Sequence, residues 1–282
     1  MNRINSRKCL FNIFFSLLLA ICRNLAAQPV YTFGVVPQQS AIKTARMWHP
    51  LLDRLSAETG YRLEFHTAPS IPAFEAELAG GDYDFAYMNP YHYVHFHETA
   101  GYQAMAHEQD KKIHGLLVTR QDSGINSLAD LEGQSLAFPA PAAFAASILP
   151  RVSLRQMGIS LAPQYVNSHD SVYLNVFQRH MLAGGGVIRT LSNMPREYRE
   201  TLKTLWKSPG FTPHAIAARS GLPGEVVARV TQALVALAST EDGQGLLASM
   251  KIKGWQAARD SDWDDVRALD IHLLDLHDRL SR

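Results

Sequence analysis

Short apolar runs and amphipathic helical stretches take turns along this chain from residue 31 onward. "YTFGVVPQ" (31–38) is expected as a buried strand entering a loop. "MWHPLLDRLSAETG" (47–60) sets Trp48, Leu51, Leu52 and Leu55 at helical spacing, with Gly60 as its stop and Pro50 predicting a kink or a late start. "YRLEFHTA" (61–68) alternates as a strand does, and Ser70 can cap a short helix over 72–79. "YDFAYMNP" (83–90) is a strand running into an Asn-Pro turn, followed by a helix and by strands near 102–107 and 113–120. Such alternation predicts an α/β fold built on parallel sheet.

Beyond residue 121 the pattern continues. A loop, a short helix capped by Ser127 and a strand fill 122–138, and a long helix is expected over 144–157. A strand at 164–168 and a helix at 169–182 follow. Gly184, Gly185 and Gly186 then precede an expected strand, "VIRTL", and a helix and strand lead to Ser208. "HAIAARS" (214–220) reads as a strand, and helical patterns cover 223–238, 241–251 and 262–281. The long strand segments at 113–120 and 214–220 sit where a chain crosses between two lobes. One lobe would then combine 28–115 with 213–282, and the other would hold 116–212.

The first 27 residues stand apart. Arg3, Arg7 and Lys8 precede an apolar run from Leu10 to Ile21, and Ala26 and Ala27 close it with small residues, the pattern of a secretory signal peptide. An uncleaved anchor and a lipoprotein signal ending at Cys22 are the alternatives. Bulky Ile21 before that cysteine and Arg23 after it speak against the second. Cys9 and Cys22 both lie in this segment, so the mature chain would have no disulfide or thiolate chemistry. Without the four basic residues of 1–27, 23 Lys and Arg face 26 Asp and Glu, a net charge of −3. A mildly acidic chain of about 255 residues is no nucleic-acid partner, and it is long enough for one large domain or two lobes.

The candidate chemistry clusters at loops. "FPAPAAFAASILPR" (138–151) reads as a strand end, a turn on Pro139 and Pro141, and a helix start. Backbone N–H groups at such a start make an anion site. Ala143, Phe144, Ala145 and Ala146 occupy it, with Ser147 as the nearest hydroxyl. "YMNPYHYV" is a strand-end loop of the kind that faces a ligand crevice, where Tyr87, Asn89 and Tyr91 would supply aromatic walls and an amide. Arg189 offers a planar fork to a carboxylate or phosphonate, and His214 stands in the second crossover. "HYVHFHE" (92–98) raises a metal reading, but His97 leaves the face that His92 and His95 share, and zinc needs three or four converging ligands. No nucleophile motif or P-loop appears, so no enzyme activity and no cofactor are expected.

"FGVVPQ", the Trp-x-Pro-Leu-Leu-x-x-Leu stretch at 48–55, "YDFAYMNPYHYV", "DSGINSLADLEGQSLAF", the Pro-rich turn, "SHD" (168–170) and "GFTPHAIAARSGLP" (210–223) occur in an order that resembles one family. It is that of the phosphonate-type periplasmic solute-binding proteins of ABC transporters. The resemblance implies a two-lobed type II periplasmic-binding fold with the ligand cleft between the lobes, and a periplasmic location. It also implies a small anionic or zwitterionic ligand and delivery to a membrane permease. It further makes His169 a ligand-side histidine and assigns the turn at 141–147 a run of Ser and Thr, which this chain replaces with Ala143, Phe144 and Ala145. A periplasmic sensor presenting its ligand state to a membrane receptor kinase and a metal-binding protein remain as alternatives. The exported protein is expected to have the intact mass of residues 28–282; a retained leader or a lipid on Cys22, seen by mass spectrometry, would overturn that reading.

Overall fold

The computed structural model describes residues 28–274. Residues 1–27, read as a signal peptide, and the end of the helix expected over 262–281 lie outside the described residues.

Strand β1 (Val30–Val35) buries Phe33 and Val35 and pairs in parallel with β2 (Arg62–His66) and β3 (Phe85–Met88). Helix α1 (Ala41–Thr59) covers them with Thr44, Trp48, Leu51, Leu52 and Leu55. Trp48 sits 5.6 Å from the Phe33 ring and 4.6 Å from Tyr87. Of the kink or late start expected at Pro50, the late start does not occur. Ser40 caps the helix by accepting from the Lys43 N–H, and Pro50 lies well inside it. Pro50 and Arg46, whose carbonyl would receive the missing bond, are both exposed, so water can satisfy that carbonyl. Ser70 caps α2 (Ile71–Gly80) and Asn89 caps α3 (Pro90–Ala100).

The strands form two sheets. The first is completed by β4 (Gln103–Glu108), β10 (Ala215–Ala218) and β11 (Trp255–Ala257), in the order β11-β4-β10-β3-β1-β2. The second takes β5 (Gly115–Arg120), β6 (Ser135–Phe138), β7 (Ala162–Tyr165), β8 (Ala183–Val187) and β9 (Leu202–Lys207), in the order β7-β6-β8-β5-β9. Neither is purely parallel, which corrects the sequence expectation. β10 runs antiparallel to β3 and β4, and β5 runs antiparallel to β8 and β9. The reversed strands are the ones next to the two crossovers. Periodicity reports burial, not direction, and β11 is too short to be read from it. The crossovers pair with each other: the Ile113 N–H donates to Phe211 O (2.8 Å) and the Phe211 N–H to Ile113 O (3.0 Å). Helix α8 (Gly224–Ala236) and helix α9 (Glu241–Ser249) match their expected patterns, whereas the described part of 262–281 gives the short α10 (Asp264–Arg267).

Two local differences shape the second sheet. Helix α4 is α-helical only over Leu149–Gln156, and Phe144–Ile148 forms a π-helical turn before it. The Leu149 N–H reaches back to Phe144 O, and Pro150 has no N–H, so neither bonds the Ala145 carbonyl. The glycines expected before a strand are themselves the strand. "VIRTL" instead leads from β8 into helix α6 (Ile188–Asn193). Its β-branched residues suggested a strand, but close packing requires the bare backbone at 184–186. A Cβ on Gly185 would stand 1.8 Å from Ala146 O, and one on Gly115 would stand 2.2 Å from Ala145 O. Helix α5 (His169–Phe177) packs on the same strand through Val172 and Tyr173. Helix α7 (Arg196–Thr201) leads into β9.

Gly185→Ala is therefore expected to cost about 1–3 kcal/mol through overpacking and to lower Tm by several degrees, at about 2–4 °C per kcal/mol. Gly245→Ala, at an exposed position in α9 with nothing within 4 Å of its Cβ, should raise Tm slightly. Equal shifts in a thermal melt would contradict this account of the strand.

Candidate functional site

The cleft lies where the carboxyl ends of β1 and β3 meet the π turn and the start of α5. Near the end of β3 stands Tyr87, whose ring stacks on His214 at 5.0 Å with the planes 18° apart. Burial and then the charge of Glu108 push the Tyr87 hydroxyl pKa up, so it stays neutral. His214 Nε2 accepts from the Gln38 side-chain amide (2.9 Å). Accepting there requires a neutral ring. Burial, with Arg189 adding to it, holds the His214 pKa well below the usual range.

Asn89 has both ends of its amide engaged. Its Oδ1 accepts from the His92 N–H (2.8 Å) as the helix cap, and its Nδ2 donates to Ala142 O across the cleft (3.1 Å). His169 opens α5, its N–H pointing to Gln38 O at 3.4 Å. Its Nδ1 is buried without a partner, and burial lowers its pKa to about 4. Ala143, Phe144 and Ala145 meet Asn89, His169 and His214 around a cavity of about 10 Å³, enough for about one water. Phe144 closes one side, edge-on to Phe211 at 5.5 Å. The N–H groups of Phe144, Ala145 and Ala146 precede the first internal bonds of the turn, Ser147 N–H to Ala143 O being the nearest.

Other predicted residues stand elsewhere. The Tyr91 hydroxyl accepts from the Leu274 N–H (2.9 Å), so its ring packs under the chain's later segment and not on the cleft cavities. Ala146 rests on Gly185, and the Ser147 hydroxyl is buried with no partner, beyond the cavity walls. Asp170 adjoins His169 and binds Lys43 Nζ (2.7 Å), a tie between the two sheets' halves. The histidines of 92–97 diverge. His92 pairs with Glu75 (2.9 Å), and His97 bonds Tyr102 O (2.8 Å). Among the described residues no group of three or more His, Cys, Asp or Glu is placed to hold a metal.

Arg189 does line the cleft, but it is not unpartnered. Its Nη2 holds both carboxylate oxygens of Glu108 at 2.5 Å, with Glu108 only 5% and Arg189 24% exposed. The pair stands at a second cavity of about 290 Å³ between the crossovers, walled by Tyr87, Ile113, Val187 and His214. Lys111 and Lys207 stand at its rim. Sequence reading missed Glu108, Gln38 and the lysines. Glu108 had one legible sign, a carboxylate directly after the strand expected near 102–107.

The buried histidines fix a pH response. Above about pH 6.5 His169 is neutral folded or unfolded. As pH falls from there toward 4 the unfolded chain binds the proton first, so stability is lost across that window and levels off below it. The slope from one such group is at most about 1.4 kcal/mol per pH unit. His169→Gln should flatten the pH 4–6.5 part of a stability profile measured by urea unfolding; an unchanged profile would show that His169 does not carry it.

Residues 33–263 match the family described as ABC transporter, phosphonate, periplasmic substrate-binding protein. The phosphate-import protein PhnD of Mycolicibacterium smegmatis is 24% identical over 223 residues, covering 70% of this chain and 68% of that protein. Among solved structures, a binding protein component of an ABC phosphonate transporter from Pseudomonas aeruginosa superposes with a TM-score of 0.79 at 19% identity, over 86% of each chain. PhnD1 of Prochlorococcus marinus, in complex with methylphosphonate, gives 0.78 at 15% identity, over 86% of this chain and 97% of that one. These likenesses show the two-lobed α/β fold of type II periplasmic binding proteins. With the family match spanning both sheets, they lead to one conclusion: this chain belongs to the phosphonate periplasmic substrate-binding proteins of ABC transporters.

Proposed function

We propose that the protein captures a small organic anion between its two lobes and presents the closed form to an ABC permease in the membrane. The observation that carries this reading is the convergence of residues from both sheets on one cleft, with direct ties across it. Asn89 donates to Ala142 O, Lys43 meets Asp170, and Arg189 meets Glu108. A ligand favours closure only by binding the closed arrangement better than the open one. The family is one of periplasmic proteins, and residues 1–27, with their basic start and apolar run, have the pattern of a leader that would carry the chain there. No helix among the described residues is long and apolar enough to cross a membrane.

The cleft supports an anion more than a cation, because the free donors at the turn are N–H groups and Arg189 adds a guanidinium. It is poorly suited to bare phosphate or phosphite. Every desolvated oxygen needs a donor, and alanines stand where hydroxyls would serve.

Protein taken from the periplasm with its co-purifying solute should stimulate ATP hydrolysis by the neighbouring permease reconstituted in proteoliposomes. The same protein after removal of the solute should stimulate far less. No stimulation by the loaded form would count against transport. Binding of that loaded form to a membrane receptor kinase instead would favour a sensory role.

A further inference from the structure

We propose that the ligand's charged group and body occupy the cavity between the crossovers, and that the ligand is an apolar or aromatic organic anion. This rests on the reading of the chain as a solute-binding protein and names the class of solute.

Space is the first argument. The closed turn leaves about 10 Å³ beside Ala143 and Ala145, against about 290 Å³ between the crossovers. Ligand pockets begin near about 300 Å³, so of these two cleft cavities only the second approaches the size a ligand needs.

Charge is the second. Glu108 is the one acidic residue lining the larger cavity, and Arg189 meets it through Nη2 alone. Nε and Nη1 of the fork are engaged by no carboxylate. Lys112 is held by Asp265 (3.4 Å) and Thr212 (3.2 Å), but the exposed Lys111 and Lys207 make no ion pair among the described residues. With Glu108 neutralised by Arg189, the remaining balance at the cavity is positive, which attracts and steers anions.

The walls are the third. The stacked Tyr87 and His214 rings form part of the wall, and Ile113 and Val187 are aliphatic. Such a wall gains from burying an apolar group and offers little to a bare tetrahedral ion.

The test is calorimetric titration of the mature protein, freed of its solute by partial unfolding and dialysis, with phenylphosphonate, benzoate, methylphosphonate and inorganic phosphate. Phenylphosphonate or benzoate should bind at least tenfold tighter than methylphosphonate and phosphate. Lys207→Glu, an exposed change that spares the core, should weaken the aromatic anion by about tenfold at low salt and by less at high salt. Glu108→Gln, which removes the competing carboxylate but keeps its shape, should strengthen it severalfold. Methylphosphonate or phosphate binding as tightly as the aromatic anions, or Lys207→Glu leaving them unchanged, overturns the inference and leaves the solute-binding reading standing. So does a failure of all four probes while the solute-loaded protein still drives the permease. If the loaded protein also fails to drive it, the functional reading falls with the inference.

Discussion

The π turn at 144–148 can stand where it does only because the strands beneath it present bare backbone. Ala145 O and Ala146 O press against Gly115 and Gly185 at distances that leave no room for a Cβ. This approach sets the depth of the turn, and the depth of the turn sets the cleft. Asn89 reaches Ala142 O, and Phe144 reaches Phe211, only at that depth. Pro150 contributes by withholding an N–H from the carbonyls behind it, so the chain takes the wider π geometry at its start. The alanines serve the same end. Small side chains let the turn sink into the fold, where Ser and Thr would need both space and hydrogen-bond partners.

Beside this apolar turn, the polar chemistry of the cleft is carried by Glu108, Gln38 and His214 from the first sheet's half and by Arg189 and His169 from the second's. A buried ion pair is weak evidence of stability, yet removing one partner typically costs about 3–5 kcal/mol because the other charge is left behind. Glu108 ends β4 of the first sheet, and Arg189 sits in the helix that follows β8 of the second. Their pairing therefore ties closure of the lobes to a charge balance, and an anion entering the cleft meets a guanidinium already partly engaged. Lys43–Asp170 crosses the cleft too, but with Lys43 57% exposed it contributes little beyond steering.

Much of the fold was legible because it depends on local rules. Ser40 was not read as a cap, but Ser70, Gly60 and the buried stripe of Trp48, Leu51, Leu52 and Leu55 mark their helices by spacing and chemistry alone. What escaped depends on contacts distant in sequence. Strand direction at β5 and β10 is a property of the partner strand. The glycines of β8 looked like a loop until Val172, Tyr173 and the turn were seen against them. At the cleft, Tyr87 and Phe144 were singled out by their places at a strand end and a helix start, Arg189 by its guanidinium, His214 by the second crossover and His169 by the family resemblance, and all five line its cavities. Tyr91 carries the same signature as Tyr87, yet its hydroxyl is taken by Leu274, nearly two hundred residues on. Glu108 and the lysine rim become a site only once two crossovers lie side by side.

Those crossovers have a mechanical meaning. A single flexible connection would let two lobes tumble freely about it. Two connections, hydrogen-bonded to each other in both directions between Ile113 and Phe211, act as a flat strap. A strap folds readily across its width and resists twisting and sliding. Lobes joined in this way swing about one axis, so each closing brings Gln38 back under His169 and Arg189 back to Glu108 in the same register. A receptor that recognises the closed outline can then use its shape as a signal, because the strap permits only one way of closing.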